Sequence, residues 1–113
     1  MNHSRWKTLR ERKLAEGFTE PDDVAEARQQ IGLSMALARA VYERRTELGL
    51  TQSELAARAG LTQAKISRIE GSDTVPTLPL LAKLAKALDA SLNIALDDDD
   101  TRVTFTPHET SAA

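Results

Sequence analysis

Residues 52–70 read QSELAARAGLTQAKISRIE, and their spacing decides the fold. Small or apolar side chains fall at Leu55, Ala56, Ala59, Leu61, Ile66 and Ile69. Those are the positions that two short helices crossing at roughly 90–120° have to bury. Ala56 is small where the helices approach most closely, and Gly60 can take the positive φ that the turn needs. Gln63, Ala64, Lys65, Ser67 and Arg68 remain outside. Polar and basic groups on the exposed side of a second helix have the chemistry to meet base edges and phosphates in a DNA major groove.

Working outward, Thr51 with Glu54 three residues on forms a capping box for the first of these helices. Gly49 ends the helix before it, expected over residues 21–48, where Thr19, Pro21, Asp22 and Asp23 make an N-terminal signature. Val24, Ala27, Ile31, Met35, Ala38 and Tyr42 recur along it at helical spacing, with Leu33, Leu37 and Val41 widening the stripe. Gly32 is a point where it bends or breaks. Further upstream, Ser4 caps a short helix carrying Trp6, Leu9 and Lys13, with Gly17 as its stop. Trp6 and Leu9 suit an edge of the core as well as a partner-binding face.

Downstream of the central stretch, residues 71–76 form a turn-rich connector, and Thr77 starts a helix through Leu80, Leu81, Leu84, Ala85 and Leu88. The period then changes to alternation, at Leu92, Ile94 and Leu96 and again at Val103 and Phe105. Two short strands or a hairpin are marginal alone in water, so these five residues are expected to pair with a second protomer or to pack on the helices. The division that follows is a helical extension at 1–27, a DNA-binding domain at 28–90, a β dimerisation element at 91–106 and a disordered tail at 107–113.

Composition bounds the function classes. A chain of 113 residues holds one modest core and no separate catalytic domain. It has no Cys, which excludes disulfides and thiolate zinc sites and agrees with a reducing cytoplasm. No run approaches the roughly 18 apolar residues of a spanning helix, and no membrane role is expected. The net charge of −2 argues against nucleic acid at first sight. Its distribution reverses the impression: residues 28–70 hold 7 Lys/Arg against 4 Asp/Glu, a local excess of +3, while residues 71–113 hold 3 against 7. So modest an excess binds weakly in one copy and calls for a dimer on two half-sites.

The string RRTELGLTQSELAARAGLTQAKISRIEGS, followed by PTLPLLAKLAKALDA, is similar to the Cro/C1-type, or Xre, helix-turn-helix regulators over residues 38–96. The resemblance implies an all-α fold: a five-helix Cro/C1-type bundle with an N-terminal helical extension and a short C-terminal β-strand or hairpin. It also implies double-stranded operator DNA as partner, phosphate contact from Thr51 and Gln52, and base contact from Gln63, Ala64 and Arg68. Lys65 and Ser67 would serve mainly the DNA backbone, with Thr62 in the same interface, and Arg45 would form a structural ion pair with Glu70. Ala64 departs from relatives that carry a long polar side chain there, leaving only apolar contact such as to a thymine methyl. Specificity then rests on Gln63, able to bond adenine, and Arg68, able to bond guanine. The flanks more loosely resemble antitoxins of the HigA or HipB type, which implies a homodimer and a toxin partner of the RelE/HigB type.

Blander readings cover the rest. The aspartates at 97–100 lack the alternating ligands, glycine and distal glutamate of a calcium loop, and read as a solvated turn. His3 and His108 stand near opposite ends with no ligand set, so neither metal nor cofactor is expected. Ser67 has no His/Asp pair nearby in sequence and there is no thiol nucleophile, so no enzymatic activity is expected.

Overall fold

The computed structural model describes residues 22–97 and 100–108. Helix α1, Asp22–Glu47, carries Asp22 and Asp23 in its first turn and Arg44 and Arg45 in its last, complementing the helix dipole at both ends. It runs unbroken through Gly32 and across the expected domain boundary at 27/28. Gly49, at φ 72°, turns the chain. The Gly49 amide then donates to the Thr46 carbonyl and the Leu50 amide to that of Arg45, which satisfies the carbonyls left open at the helix end.

Helix α2, Gln52–Ala59, begins with the expected capping box: Thr51 accepts from the Glu54 amide and its own amide donates to the Glu54 carboxylate. Gly60 closes α2 at φ 68° in the left-handed region. Helix α3, Gln63–Glu70, is capped by Thr62, and α4, Leu78–Ala87, by Thr77 with Pro79 in its first turn. Asp89, at φ 50°, then redirects the chain into β1, Ala90–Ala95, which pairs antiparallel with β2, Arg102–Pro107. Leu92 lies opposite Phe105 and Ile94 opposite Val103.

Four helices stand among the described residues, where five were expected. The short helix expected from Ser4 to Gly17, with Trp6 and Leu9, lies outside them, as do the Thr19 and Pro21 signature and His3. After α4 no further helix follows among the described residues, because β-branched and alternating residues carry the chain into the hairpin instead. Pro107 ends β2, and the His108 amide still donates to the Asp89 carbonyl.

The core joins Leu37 and Val41 of α1, Leu55, Ala56 and Ala59 of α2, Ile66 and Ile69 of α3, and Leu81, Leu84, Ala87 and Leu88 from α4 and its end. The buried face of α1 is therefore the one bearing Ser34, Leu37, Ala38, Val41 and Arg44. Of the expected stripe, Leu37, Ala38 and Val41 are buried, while Ile31, Met35 and Tyr42 are exposed. Leu92, Ile94, Val103 and Phe105 are half-buried against the core of their own chain, and Leu96 is exposed.

Two glycines separate backbone need from space, since a Cβ at either Gly32 or Gly60 meets nothing within 4 Å. Gly60→Ala is expected to destabilise by about 1 kcal/mol through left-handed strain, and Gly32→Ala to stabilise by about 0.5–1 kcal/mol as a helix-interior replacement. Urea titration reads both, and equal signs would refute the account. Bonds from the Thr51 amide, then its hydroxyl, hold the Glu54 carboxyl below the usual glutamate range. Its contribution is thus present above the ordinary value and lost as pH falls through the lowered one. Glu54→Gln should flatten the pH dependence of stability below about pH 4.3.

Candidate nucleic-acid interface

Helix α3 has two faces set by its period. Ile66 and Ile69 are fully buried, while Gln63, Ala64, Ser67 and Arg68 are exposed and Lys65 is half-buried. The expected reading residues therefore share one outward face. No ion pair or side-chain hydrogen bond engages Lys65, Ser67 or Arg68 among the described residues, so their polar groups stay available.

Behind that face lies a chain of polar contacts. Arg45 of α1 reaches Glu70 at the end of α3 with two parallel bonds, Nε to Oε2 at 2.7 Å and Nη2 to Oε1 at 2.8 Å. Its Nη1 donates to the Leu50 carbonyl at 2.8 Å, and its guanidinium lies 5.3 Å from the centroid of the Tyr42 ring. The side chains of Arg45 and Glu70 are 12% and 6% exposed, so the pair sits largely out of water. Hydrogen bonding to Glu70 raises the Arg45 pKa above its usual value, against the opposing effect of burial.

The chain continues to the surface through Gln52 of α2. Its Nε2 donates to Glu70 Oε1 at 3.3 Å, and its Oε1 accepts from Gln63 Nε2 at 2.7 Å. A carboxamide has two N–H donors and one oxygen with two lone pairs. Gln52 thus keeps one N–H for a phosphate, and Gln63 keeps its oxygen and one N–H, the pair of groups that adenine engages. Thr51 and Thr62 accept from backbone amides with their hydroxyl oxygens, and the Thr62 hydroxyl proton is left to donate. Eight expected contact residues, from Thr51 to Arg68, therefore fall on two adjoining helix starts and one helix face.

The sequence reading missed Arg44. Its side chain is almost fully buried, donating from Nε to the Leu88 carbonyl at 2.9 Å and from Nη2 to that of Asp89 at 3.2 Å, with Glu47 at 3.0 Å. Arg58 adds a bond to the Ala87 carbonyl at 3.2 Å. These cations neutralise carbonyls at the C-terminal end of α4 and lock its joint with the hairpin. The available signal was position: Arg44 follows Leu37 and Val41 at helical spacing on the buried face. His108 lies far from any ligand set, its Nδ1 3.0 Å from the Asp89 carboxylate, and no metal-holding group of His, Asp or Glu occurs among the described residues. No helix among them is long and apolar enough to cross a membrane.

Comparison with known proteins places this geometry. The helix-turn-helix family model HTH_3 matches residues 41–94. An uncharacterized HTH-type transcriptional regulator of Methanothermobacter thermautotrophicus is 46% identical over 48 residues, covering 42% of this chain and 70% of that protein. Antitoxin HigA1 of Mycobacterium tuberculosis is 33% identical over 91 residues, 80% of this chain but 56% of that protein, so the chain spans little more than half of its length. The restriction-modification controller protein C.Esp1396I, solved as a tetramer with its natural 35 base-pair operator, superposes with a TM-score of 0.51 at 30% identity. That match covers 52% of this chain and 78% of the other.

Glu70→Ala leaves a largely buried guanidinium unpaired, a change that costs about 3–5 kcal/mol. The expected result is that loss in urea unfolding, with Glu70→Gln losing less because one acceptor oxygen remains. An unchanged midpoint for Glu70→Ala would show that the pair does not hold α1 to α3.

Proposed function

The chain belongs to the HTH_3 helix-turn-helix family, of the Cro/C1 or Xre type, and on that premise we propose that it is a sequence-specific DNA-binding repressor. The observation that carries this reading is the outward face of α3, where Gln63, Ala64, Ser67 and Arg68 are exposed beside the exposed helix caps Thr51 and Thr62. Arg68 reads guanine, Gln63 reads adenine, Ala64 offers apolar contact, and Lys65, Ser67, Gln52, Thr51 and Thr62 hold phosphates. The modest positive excess of residues 28–70 makes one copy a weak binder, so a homodimer occupies two half-sites. Residues 28–90 are the DNA-binding domain in this reading, and the protein is a cytoplasmic regulator rather than an enzyme.

The similarity to antitoxin HigA1 extends over 80% of this chain, beyond the helix-turn-helix segment alone. It supports a narrower reading: an antitoxin that neutralises a toxin of the RelE/HigB type and represses their shared operon. A stand-alone Xre regulator without toxin is the alternative, favoured if the neighbouring reading frame encodes no small basic protein that co-purifies with this one.

Gel-shift titration of the full chain on the DNA upstream of its own gene tests the base-reading role. Arg68→Ala should bind at least about 30-fold more weakly, through the loss of one bidentate base contact in each half-site at about 1–3 kcal/mol apiece. Lys65→Ala should lower the slope of log affinity against log salt by about 1.8, about 0.9 for the phosphate lost in each half-site. Parental affinity for Arg68→Ala would remove the assignment, and a flat salt response in the parent would favour a protein-binding module.

A further inference from the structure

A carboxamide has a sense: its oxygen end accepts and its amino end donates. The two ends are nearly the same size, so packing does not choose between the two orientations of the group. Hydrogen-bond partners do. In the chain of contacts behind α3, the Glu70 carboxylate is held by Arg45 at both oxygens and offers acceptors but no donor. The amino end of Gln52 must therefore face Glu70 Oε1, and it stands 3.3 Å away. That choice turns Gln52 Oε1 toward Gln63. An amide oxygen carries no proton, so the amino end of Gln63 meets it, at 2.7 Å. One sense thus passes from the last residue of α3, through the first of α2, to the first of α3.

The sense decides what Gln63 shows to DNA. With one N–H engaged by Gln52, Gln63 presents its oxygen and its second N–H, which match the amino donor and the N7 acceptor of adenine. Guanine offers two acceptors, O6 and N7, and sets O6 against the Gln63 oxygen. A reversed chain would exchange the ends. Gln52 would then give Gln63 an N–H, and the Gln63 amino group would turn outward with two donors for guanine. An unanchored glutamine turns either end to a base, so preference for adenine is only as firm as the chain that fixes the sense.

We infer that Glu70 is a positioning residue for base choice: its carboxylate, acting through Gln52, sets which end of Gln63 faces the groove and makes that base pair read as adenine rather than guanine. The inference rests on the DNA-binding reading proposed above. It is separate from the part Glu70 plays in holding α1 to α3, because the sense depends on Glu70 having no donor and not on the strength of its tie to Arg45.

Selection of binding sites for the full chain from randomised duplex DNA, followed by affinity measurements with adenine or guanine at each position of the enriched site, tests it. The position flattened by Gln63→Ala should carry adenine in the parent. Two variants then break the chain at different places. Gln52→Leu removes the middle link and leaves the Arg45 and Glu70 pair intact; its lost phosphate contact weakens all sequences alike and cancels in the ratio. Arg45→Met combined with Glu70→Met removes the acceptor, and urea unfolding should find the fold kept, since apolar replacement of both partners of a buried ion pair is often neutral. Each variant should lower the adenine-over-guanine ratio at the Gln63 position at least about fivefold, while the guanine position assigned to Arg68 keeps its preference. An unchanged ratio in either variant, relaxation at the Arg68 position as well, or guanine at the parent's Gln63 position would overturn the inference and leave the DNA-binding reading standing. A parent that enriches no sequence would overturn both.

Discussion

A guanidinium and a carboxylate withdrawn from water must face each other or not be buried at all, and Arg45 with Glu70 meets that condition between α1 and α3. The pair joins the last turn of α1 to the last residue of α3, while the Leu50 carbonyl takes the remaining reach of Arg45. Glu70 in turn orients the Gln52 amide at the start of α2, and Gln52 orients Gln63 at the start of α3. Three helices are therefore indexed to one another by a single polar thread. Apolar packing of Leu55, Ile66 and Ile69 supplies the cohesion beneath it but little angular definition, because dispersion contacts are non-directional.

A second anchor performs the same service at the opposite end. Arg44, one residue earlier than Arg45, points to the carbonyls of Leu88 and Asp89 where α4 gives way to β1. Adjacent positions on a helix project about 100° apart, so two consecutive arginines reach two different neighbours. One steadies the reading helices and the other seats the hairpin. Both withdraw positive charge from the surface, which leaves Arg68 and Lys65 a larger share of the field presented outward.

Local chemistry was legible in the sequence wherever it acts over a few residues. Thr51 with Glu54, Thr62, Thr77 and Gly60 announce their caps and turn because each acts on amides or carbonyls within one helical turn. The alternation at Leu92, Ile94, Val103 and Phe105 located the strands for the same reason. Orientation of a whole helix was harder. Two apolar stripes run along α1, and periodicity alone does not say which is buried; the rest of the core selects Leu37 and Val41 and leaves Ile31 and Met35 in water. Helical spacing placed Arg44 on the buried face, but its partners were illegible, being carbonyls 44 and 45 residues away that no side-chain pattern encodes. The outward residues of the site followed directly from the helix period, whereas the bonds that tie Gln63 to Gln52 and Glu70 needed the three-dimensional arrangement.

The thread ends at Gln63, and that boundary has an evolutionary consequence. Ala64, Ser67 and Arg68 share the exposed face yet have no bond to Gln52, Glu70 or Arg45 among the described residues. Substitutions there should leave folding nearly untouched, as exposed sites outside such networks do. Gln63 differs, since replacing it also disturbs Gln52, so its effects should depend on what stands at position 52. Drift in target preference can then proceed by single steps at 64, 67 and 68 without approaching the stability threshold. Change at 63 needs a matched second step.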